Sequence, residues 1–296
     1  MSNVAAILIN YNGLEDTIES IISLQKQSYK IDIIVVDNYS RLNEGEAIQR
    51  KFSNVQVICT SENVGFSGGN NLAIDYAIKK NYDYILLINN DTIADKNLVK
   101  ELMKQIDENC VCVPMMYYAT EPNVIWYAGG KINKHMGTAY HVGMNEIDNG
   151  KFDVIRECDF ATGCGMLLPT KVIRKVGMLK EDFFMYCEDL DYSIRLSEKD
   201  VKIKFIPNAK LWHKVSKSTG GDESAFSIYY MTRNRLQNIK NHRDFFSVEA
   251  TLVTLITRCI RMFQMWVRGK REWKAFLRAI RDYYQGISGK IEVELE

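Results

Sequence analysis

A chain of 296 residues, 46% hydrophobic and 25% charged, has ordinary globular makeup and enough length to bury a sizeable core, which excludes a disordered or fibrous class. Its net charge of +1 hides an asymmetry: from Arg233 to Gln285 there are 12 Lys and Arg against 4 Asp and Glu, so that segment carries +8 and the remainder −7, which points the tail at an anionic surface. Seven scattered cysteines, odd in number and with no zinc-ligand spacing, argue against a disulfide framework and for a cytoplasmic protein.

The amino terminus runs directly into strand-like sequence, with no basic and apolar leader pattern, and no stretch has the roughly 18 apolar residues of a membrane span. Val4 to Ile9 reads as a buried strand ending at Asn10-Tyr11-Asn12-Gly13, followed by a helix with Ile18, Ile21 and Ile22 on one face. Ile31 to Val36 is a second strand, ending at Asp37-Asn38. A helix from Glu44 to Phe52 leads to a third strand, Val55 to Cys59, and then to Asn63-Val64-Gly65-Phe66-Ser67-Gly68-Gly69-Asn70-Asn71, which opens another helix. The fourth strand, Tyr84 to Ile88, ends abruptly in Asn89-Asn90-Asp91. Strands alternating with helices at this spacing predict right-handed crossovers and an α/β fold with a mostly parallel central sheet. Such a sheet gathers the strand ends on one edge, where ligands bind.

The glycines at Gly65, Gly68 and Gly69 do not fit a dinucleotide fingerprint, which requires them directly after the first strand. They are expected instead to let backbone approach a ligand and to aim helix N-terminal amides at phosphate or sugar oxygens. Farther on, the spacing predicts a helix over Asn97 to Asp107, a short strand Val111 to Pro114, a β-rich excursion from Tyr117 to Asp153 marked by Trp126-Tyr127-Ala128-Gly129-Gly130, and a return to the core over Phe160 to Pro169. Aromatics then lead into Glu188-Asp189-Leu190-Asp191 at a helix start. Val201 to Pro207 alternates as a half-exposed strand, followed by Leu211-Trp212-His213-Lys214.

A sugar nucleotide diphosphate laid across this edge would find suitable chemistry. Asp37 could accept from a pyrimidine N–H, and Asp91 offers a hard oxygen ligand to Mg2+ or Mn2+, with His213 as a second ligand or a hydrogen-bonded structural histidine. Asp191 lies four residues before Arg195 and is expected to pair with it. Glu188 and Asp189 are freer, and adjacent carboxylates raise each other's pKa, which suits a general base for an acceptor hydroxyl.

In order and spacing, Asn10-Tyr11-Asn12, Asp37-Asn38-Tyr39-Ser40, the Asn63 to Asn71 run, Asn89-Asn90-Asp91, Thr162-Gly163, Glu188-Asp189-Leu190-Asp191, Trp212-His213 and Tyr230-Met231-Thr232-Arg233-Asn234 resemble the inverting glycosyltransferases of family 2, most closely a bacterial rhamnosyltransferase-like subgroup. The resemblance implies the GT-A fold, with residues 1–240 as catalytic domain (1–115 for the nucleotide sugar, 116–240 for acceptor and catalysis) and 241–290 as a basic amphipathic helical tail. It implies that Asn10, Asn12 and Asp37 line the nucleotide pocket and that Asn63, Gly65, Gly69 and Asn70 shape the ribose and donor-sugar region. It further implies that Asn89, Asn90 and Arg233 contact the donor, that Asp91 and His213 hold Mg2+ or Mn2+, and that Asp189, beside Glu188, is the base. Many members carry Asp where this chain has Asn89, which removes a charge near the diphosphate.

The implied reaction is transfer of a sugar, L-rhamnose from dTDP-rhamnose as best match or a UDP-hexose or UDP-galactofuranose donor, to a saccharide or lipid-linked saccharide acceptor in bacterial cell-surface polysaccharide synthesis. A sugar-phosphate nucleotidyltransferase and an inactive membrane-associated scaffold are the alternatives. The first expects a basic glycine-rich loop that Asn10-Tyr11-Asn12-Gly13 lacks; against the second stands the intact set Asp37, Asp91, Asp189 and His213. In the tail, Leu252 to Val267 is apolar around most of its circumference, with a polar stripe of Thr254, Arg258, Arg261, Gln264 and Arg268. A second helix groups Trp273, Phe276, Leu277, Ile280 and Tyr284. These helices either pack on protein, the catalytic domain or a second subunit of a homo-oligomer, or lie on an anionic membrane; nucleic acid is not an expected partner. The last residues, Ile291 to Glu296, read as disordered.

Overall fold

Apolar runs without alternation form the middle of the sheet, because parallel strands covered by helices are buried on both faces. The computed structural model describes residues 3–215 and 224–291. In chain order its first half comprises β1 (Val4–Asn10), α1 (Leu14–Gln25), β2 (Asp32–Asp37), α2 (Glu44–Lys51), β3 (Val55–Cys59), α3 (Gly65–Lys79), β4 (Tyr84–Ile88), β5 (Thr92–Ala94), α4 (Leu98–Met103) and β6 (Cys110–Tyr118). The excursion contributes β7 (Ile125–Tyr127), the hairpin β8 (Gly130–Asn133) and β9 (Thr138–His141), and β10 (Arg156–Cys158). β11 (Gly165–Pro169), α5 (Thr170–Val176), a 3-10 turn (Glu181–Phe183), α6 (Glu188–Glu198) and β12 (Lys202–His213) complete the core, and α7 (Ala225–Asn241), α8 (Ala250–Val267) and α9 (Trp273–Tyr284) follow.

The sheet order is β10-β12-β6-β11-β4-β1-β2-β3, with β5 added to β12 and β7 to β6. The first four strands are mutually parallel, and β11 enters antiparallel between β4 and β6. Since β6 and β12 run parallel to each other and β6 is antiparallel to β11, the end of β12 at His213 reaches the same edge as the ends of β1, β2 and β4. The boundary between 115 and 116, expected to separate a donor half from an acceptor half, falls inside β6, so one continuous sheet spans both.

Two strands run longer than their sequence pattern implies. Pro114 and Pro207 each lack an N–H and would normally end a central strand. Here the β6–β12 register shifts between Ile206 and Lys210, a bulge that takes up the irregularity and lets pairing resume as far as Tyr118 and His213. Conversely, the helix expected to reach Asp107 stops at Met103, where Gln105 and Ile106 both donate to the Leu102 carbonyl and tighten the last turn.

The tail is integral to the molecule. A second apolar cluster joins Phe184, Ile228, Tyr229 and Tyr230 to Met265, Ala275, Phe276 and Ala279, so α9 and the end of α8 pack on α7. The inner face of α9 is Ala275, Phe276, Ala279 and Asp282, whereas Leu277 and Tyr284, expected on that face, are exposed. On α8 the start of the polar stripe is turned inward, since Thr254 is fully buried and donates to the Met136 carbonyl, while its far end, Gln264 and Arg268, is exposed together with Leu252, Ile256, Ile260, Phe263, Trp266 and Val267. Ile291 is ordered enough to donate its N–H to the Tyr230 hydroxyl at 3.1 Å; residues 292–296 lie outside the described residues.

Gly65 shows how tightly α3 meets the loop before α6. Its φ is +77°, and a Cβ there would stand 2.3 Å from the Phe184 carbonyl oxygen. Gly65→Ala is therefore expected to destabilise the fold by about 1–3 kcal/mol, from left-handed backbone strain plus a forced shift of Phe184, measured as a lower urea midpoint at unchanged m-value.

Candidate active site

At the nucleotide end of the edge, Asn10 and Asp37 sit opposite each other in the β1–β2 register. The Asn10 amide donates to Asp37 Oδ1 at 2.8 Å and to Glu44 Oε2 at 2.9 Å, and its Oδ1 accepts from Thr17, which in turn accepts from Asn90. Ser40 adds a bond to Asp37 Oδ1 and receives the Asn12 N–H, and Glu44 also takes the Gly13 N–H. Asn12, with φ of +51°, accepts the Arg41 N–H. Asn10, Asn12, Asp37 and Asn90 thus belong to one hydrogen-bonded lattice. Of its other members, Ser40 belongs to the Asp37-Asn38-Tyr39-Ser40 motif, though with no role assigned there, and sequence reasoning missed Thr17 and Glu44 because a hydroxyl in a helix and an acid in a first turn have ordinary local explanations.

Asn38 organises the next stretch, accepting the Val64 N–H and donating to Asn63 Oδ1 and the Gly65 carbonyl. Asn63 Oδ1 also takes the Gly65 N–H, and the Phe66 N–H goes to the Phe184 carbonyl at 2.7 Å. The first amides of α3, expected to face phosphate or sugar oxygens, are therefore engaged by protein. Gly69 lets α3 close on Ile9, and the nearly fully buried Asn70 donates to Phe66 within the helix, so both are packing positions here rather than open ligand contacts.

At the other end, β5 pairs with β12 so that Thr92 lies opposite His213, and the Lys214 N–H donates to the Asp91 carbonyl. Asp91 and His213, both buried, meet at 3.1 Å between Oδ1 and Nε2. Burial works against an imidazolium there, but the Cys164 thiol and the Asp91 carboxylate beside it outweigh this and raise His213 to about 10. Trp126, prominent in the excursion, packs edge-on to His213 at 4.5 Å between ring centroids and to His141 at 4.4 Å.

Asp189 and Glu188 form the first turn of α6 rather than the segment before it. Asp189 Oδ1 accepts from the Leu190 N–H at 2.8 Å and Oδ2 from the Gly163 N–H at 3.3 Å. The segment carrying Gly163 also binds the fourth strand end, since the Asn89 N–H donates to the Cys164 carbonyl at 3.0 Å. Thr162-Gly163-Cys164 thus links the strand that ends in Asp91 to the carboxylate of Asp189. Burial raises the pKa of both Glu188 and Asp189. For Glu188, whose Oε2 is buried without a hydrogen bond, the charge of Asp189 adds to the effect; for Asp189 the Gly163 and Leu190 N–H groups partly oppose it. Asp191 is held well down, to about 2, because His242, Arg195 and Lys180 together overcome its burial.

Arg233 does not reach the donor edge. It is fully buried in α7 and spends its guanidinium on the carbonyls of Asp182, Phe183 and Gly289, while the neighbouring Asn234 amide meets the carbonyls of Phe183, Met185 and Tyr186. Asn238 holds the Cys187 carbonyl. These side chains brace a loop in which Phe184, Tyr186 and Cys187 all have positive φ.

A family model described as Glycosyl transferase family 2 matches residues 5–177. The chain belongs to glycosyl transferase family 2. It is 25% identical over 240 residues to the low-salt glycan biosynthesis hexosyltransferase Agl10 of Haloferax volcanii, covering 79% of this chain and 75% of the relative. Identity is 24% to the rhamnosyltransferase WbbL of Escherichia coli, with 82% and 98% covered, and 22% to the dTDP-rhamnosyl transferase RfbF of Shigella flexneri, with 75% and 71% covered. Among solved structures it resembles GalNAc-T7 with UDP, GalNAc and Mn2+ (TM-score 0.64, 13% identity, 81% of this chain and 48% of that one). It also resembles TarS 1–349 of S. aureus (TM-score 0.56, 17% identity, 96% and 81%). The fold of this family 2 glycosyltransferase is therefore GT-A, and the nucleotidyltransferase and scaffold alternatives fall away.

No cluster of three or more His, Cys, Asp or Glu side chains able to hold a metal occurs among the described residues. The Asp91–His213 pair nonetheless fits a divalent cation of the Mg2+ or Mn2+ kind. Its carboxylate and imidazole atoms already converge, 3.1 Å apart, and such ions complete their shell with substrate phosphates and water. For Glu188 the raised pKa means that the folded state binds a proton more tightly than the unfolded chain. Stability is then expected to fall as pH rises above the unfolded glutamate value of about 4.3. Urea melts at several pH values should show that decline in wild type and a shallower one in Glu188→Gln.

Proposed function

We propose that this glycosyltransferase inverts the anomeric carbon of a nucleotide diphosphate hexose, with dTDP-L-rhamnose as preferred donor and a divalent cation bound by Asp91 and His213. The acceptor is a saccharide or lipid-linked saccharide of bacterial cell-surface polysaccharide synthesis, and residues 1–240 are the catalytic unit. The observation that carries this reading is the Thr162-Gly163-Cys164 bridge, which ties the strand end bearing Asp91 to the carboxylate of Asp189. The rhamnosyltransferase names of two relatives support the donor. The Mn2+ present in the GalNAc-T7 structure and in that of the Pyrobaculum calidifontis mannosyltransferase supports the cation.

In the proposed mechanism, Asn10, Asp37, Ser40 and Glu44 frame the nucleotide, with Asp37 facing the pyrimidine. Asp189, oriented by the Gly163 and Leu190 amides, accepts the proton of the acceptor hydroxyl as that oxygen bonds to the anomeric carbon. The bond to the nucleotide diphosphate breaks on the opposite face. A bound cation would offset the charge on the departing diphosphate. Because burial raises the Asp189 pKa, the deprotonated base accumulates only above the usual carboxylate range, and the acid limb of activity should sit there.

The solvent-facing apolar side of α8, beside Arg261 and Arg268 and within a segment carrying +8, supports peripheral contact with an anionic membrane that would supply a lipid-linked acceptor. No helix among the described residues is long and apolar enough to cross a membrane.

The test is nucleotide diphosphate release from a panel of dTDP-, UDP- and GDP-sugars with Mg2+ or Mn2+. Asp189→Asn is expected to lose about 100-fold or more in kcat, and Asp91→Ala to lose the metal-stimulated part of the rate, whereas Asn89→Ala should only weaken it. Release unchanged in Asp189→Asn would remove the base assignment. Flotation with phosphatidylglycerol vesicles at low salt should carry the wild type upward and leave a Phe263→Glu/Trp266→Glu variant behind; sedimentation of both would leave only packing for the tail.

A further inference from the structure

Among the described residues, three buried or half-buried arginines are matched. Arg195 meets Asp191, Arg278 meets Asp282, and Arg233 is met by backbone carbonyls. Arg235 and Arg258 break the pattern. Arg235, on α7, is only 5% exposed, and its hydrogen bonds run from Nε and Nη2 to one neutral acceptor, the Met136 carbonyl. Arg258 lies one turn beyond the buried Thr254 on the inward side of α8, and its Nε is buried with no hydrogen-bond partner. Arg235 and Thr254 both donate to the Met136 carbonyl, which sets the α8 turn carrying Arg258 against Arg235; the charge of Arg258 adds to burial in lowering the proton affinity of Arg235, burial lowers that of Arg258, and no ion pair joins either to a carboxylate among the described residues. Both also act on the thiol of Cys187, the residue immediately before Glu188 and Asp189. A buried guanidinium beside a half-buried one, with no anion to meet them, is an arrangement that a bound anion would relieve.

We propose that Arg235 and Arg258 form a pocket for a phosphate group of the acceptor, placing it on the α7–α8 side of the catalytic carboxylates. The guanidinium pair matches phosphate oxygens in charge and in forked geometry. The outward side of the same helix α8 is the solvent-facing apolar face, so a phosphate joined to an apolar chain is the form of acceptor that fits both sides of one helix. The proposal rests on the transferase reading and specifies the acceptor for it.

Calorimetric titration of the full chain, with UDP or dTDP and Mg2+ saturating the donor site, should show binding of farnesyl phosphate and none of farnesol. Arg258→Gln is expected to weaken farnesyl phosphate binding about tenfold or more, with Arg258→Lys intermediate and nucleotide affinity unchanged in both. Inorganic phosphate serves as the chain-free arm: weaker binding than farnesyl phosphate assigns the group to a lipid, and equal binding assigns it to a phosphate without one. Equal binding of farnesyl phosphate by wild type and Arg258→Gln, equal binding of farnesol, or a parallel loss of nucleotide affinity would overturn the pocket. Farnesyl phosphate binding that depends on Arg258, in a protein that binds no nucleotide, would instead sink the donor reading and leave the pocket standing.

Discussion

Three carbonyl groups, those of Phe183, Met185 and Tyr186, converge on the side-chain amide of Asn234, and the placement of Glu188 and Asp189 at the start of α6 depends on that convergence. The loop it holds contains a γ-turn, with Met185 donating to Phe183 across Phe184 at φ +62° and ψ −57°, a conformation that stores strain in an L-residue. Tyr186 and Cys187 follow in the left-handed region before α6 begins at Glu188. Without outside partners such a loop would relax. Asn234 and Asn238, one helical turn apart, and the neighbouring Arg233 supply them from a single helix, α7.

The two ends of the sheet edge are built on different logic. Around Asn10, Asp37 and Glu44, neutral donors share a small set of carboxylate oxygens, an arrangement suited to presenting fixed acceptors to a ligand. Around Asp91 and His213 the partners are a carboxylate and an imidazole, both buried and in close contact. The antiparallel entry of β11 joins them, because reversing that strand carries its preceding residues, Thr162 to Cys164, to the edge where the parallel strands end.

Much of this was legible in the sequence. Unalternating strands capped by Asn and Asp specify the parallel sheet and its polar edge, since a two-sided burial pattern and a shared direction leave few other places for those ends. The pairing of Asp191 with Arg195 follows from helical spacing alone. The place of Arg233 was not legible, because its motif is local whereas its partners, 50 or more residues away, are carbonyl oxygens that every residue carries and no composition reveals. Strand continuation past Pro114 and Pro207 was hidden for a similar reason: a proline stops one strand, but two of them near a shared bulge do not stop a pair. The inward mounting of Thr254 on α8 also depends on the neighbour that covers it, Met136 in the turn between β8 and β9, which no periodicity within the helix can name.

Arg233 reaches Gly289 as well as the loop, and the Gly289 N–H returns to the Asp182 carbonyl. The brace on the loop before α6 therefore closes through a residue more than 100 positions later in the chain than the loop itself. During synthesis the sheet and its polar edge can form while the tail is still inside the ribosome, but the last contact of the brace must wait until residue 289 has emerged. Order of assembly is thereby built into the chain: the polar edge of the sheet can close first, and the loop that leads into α6 is locked last.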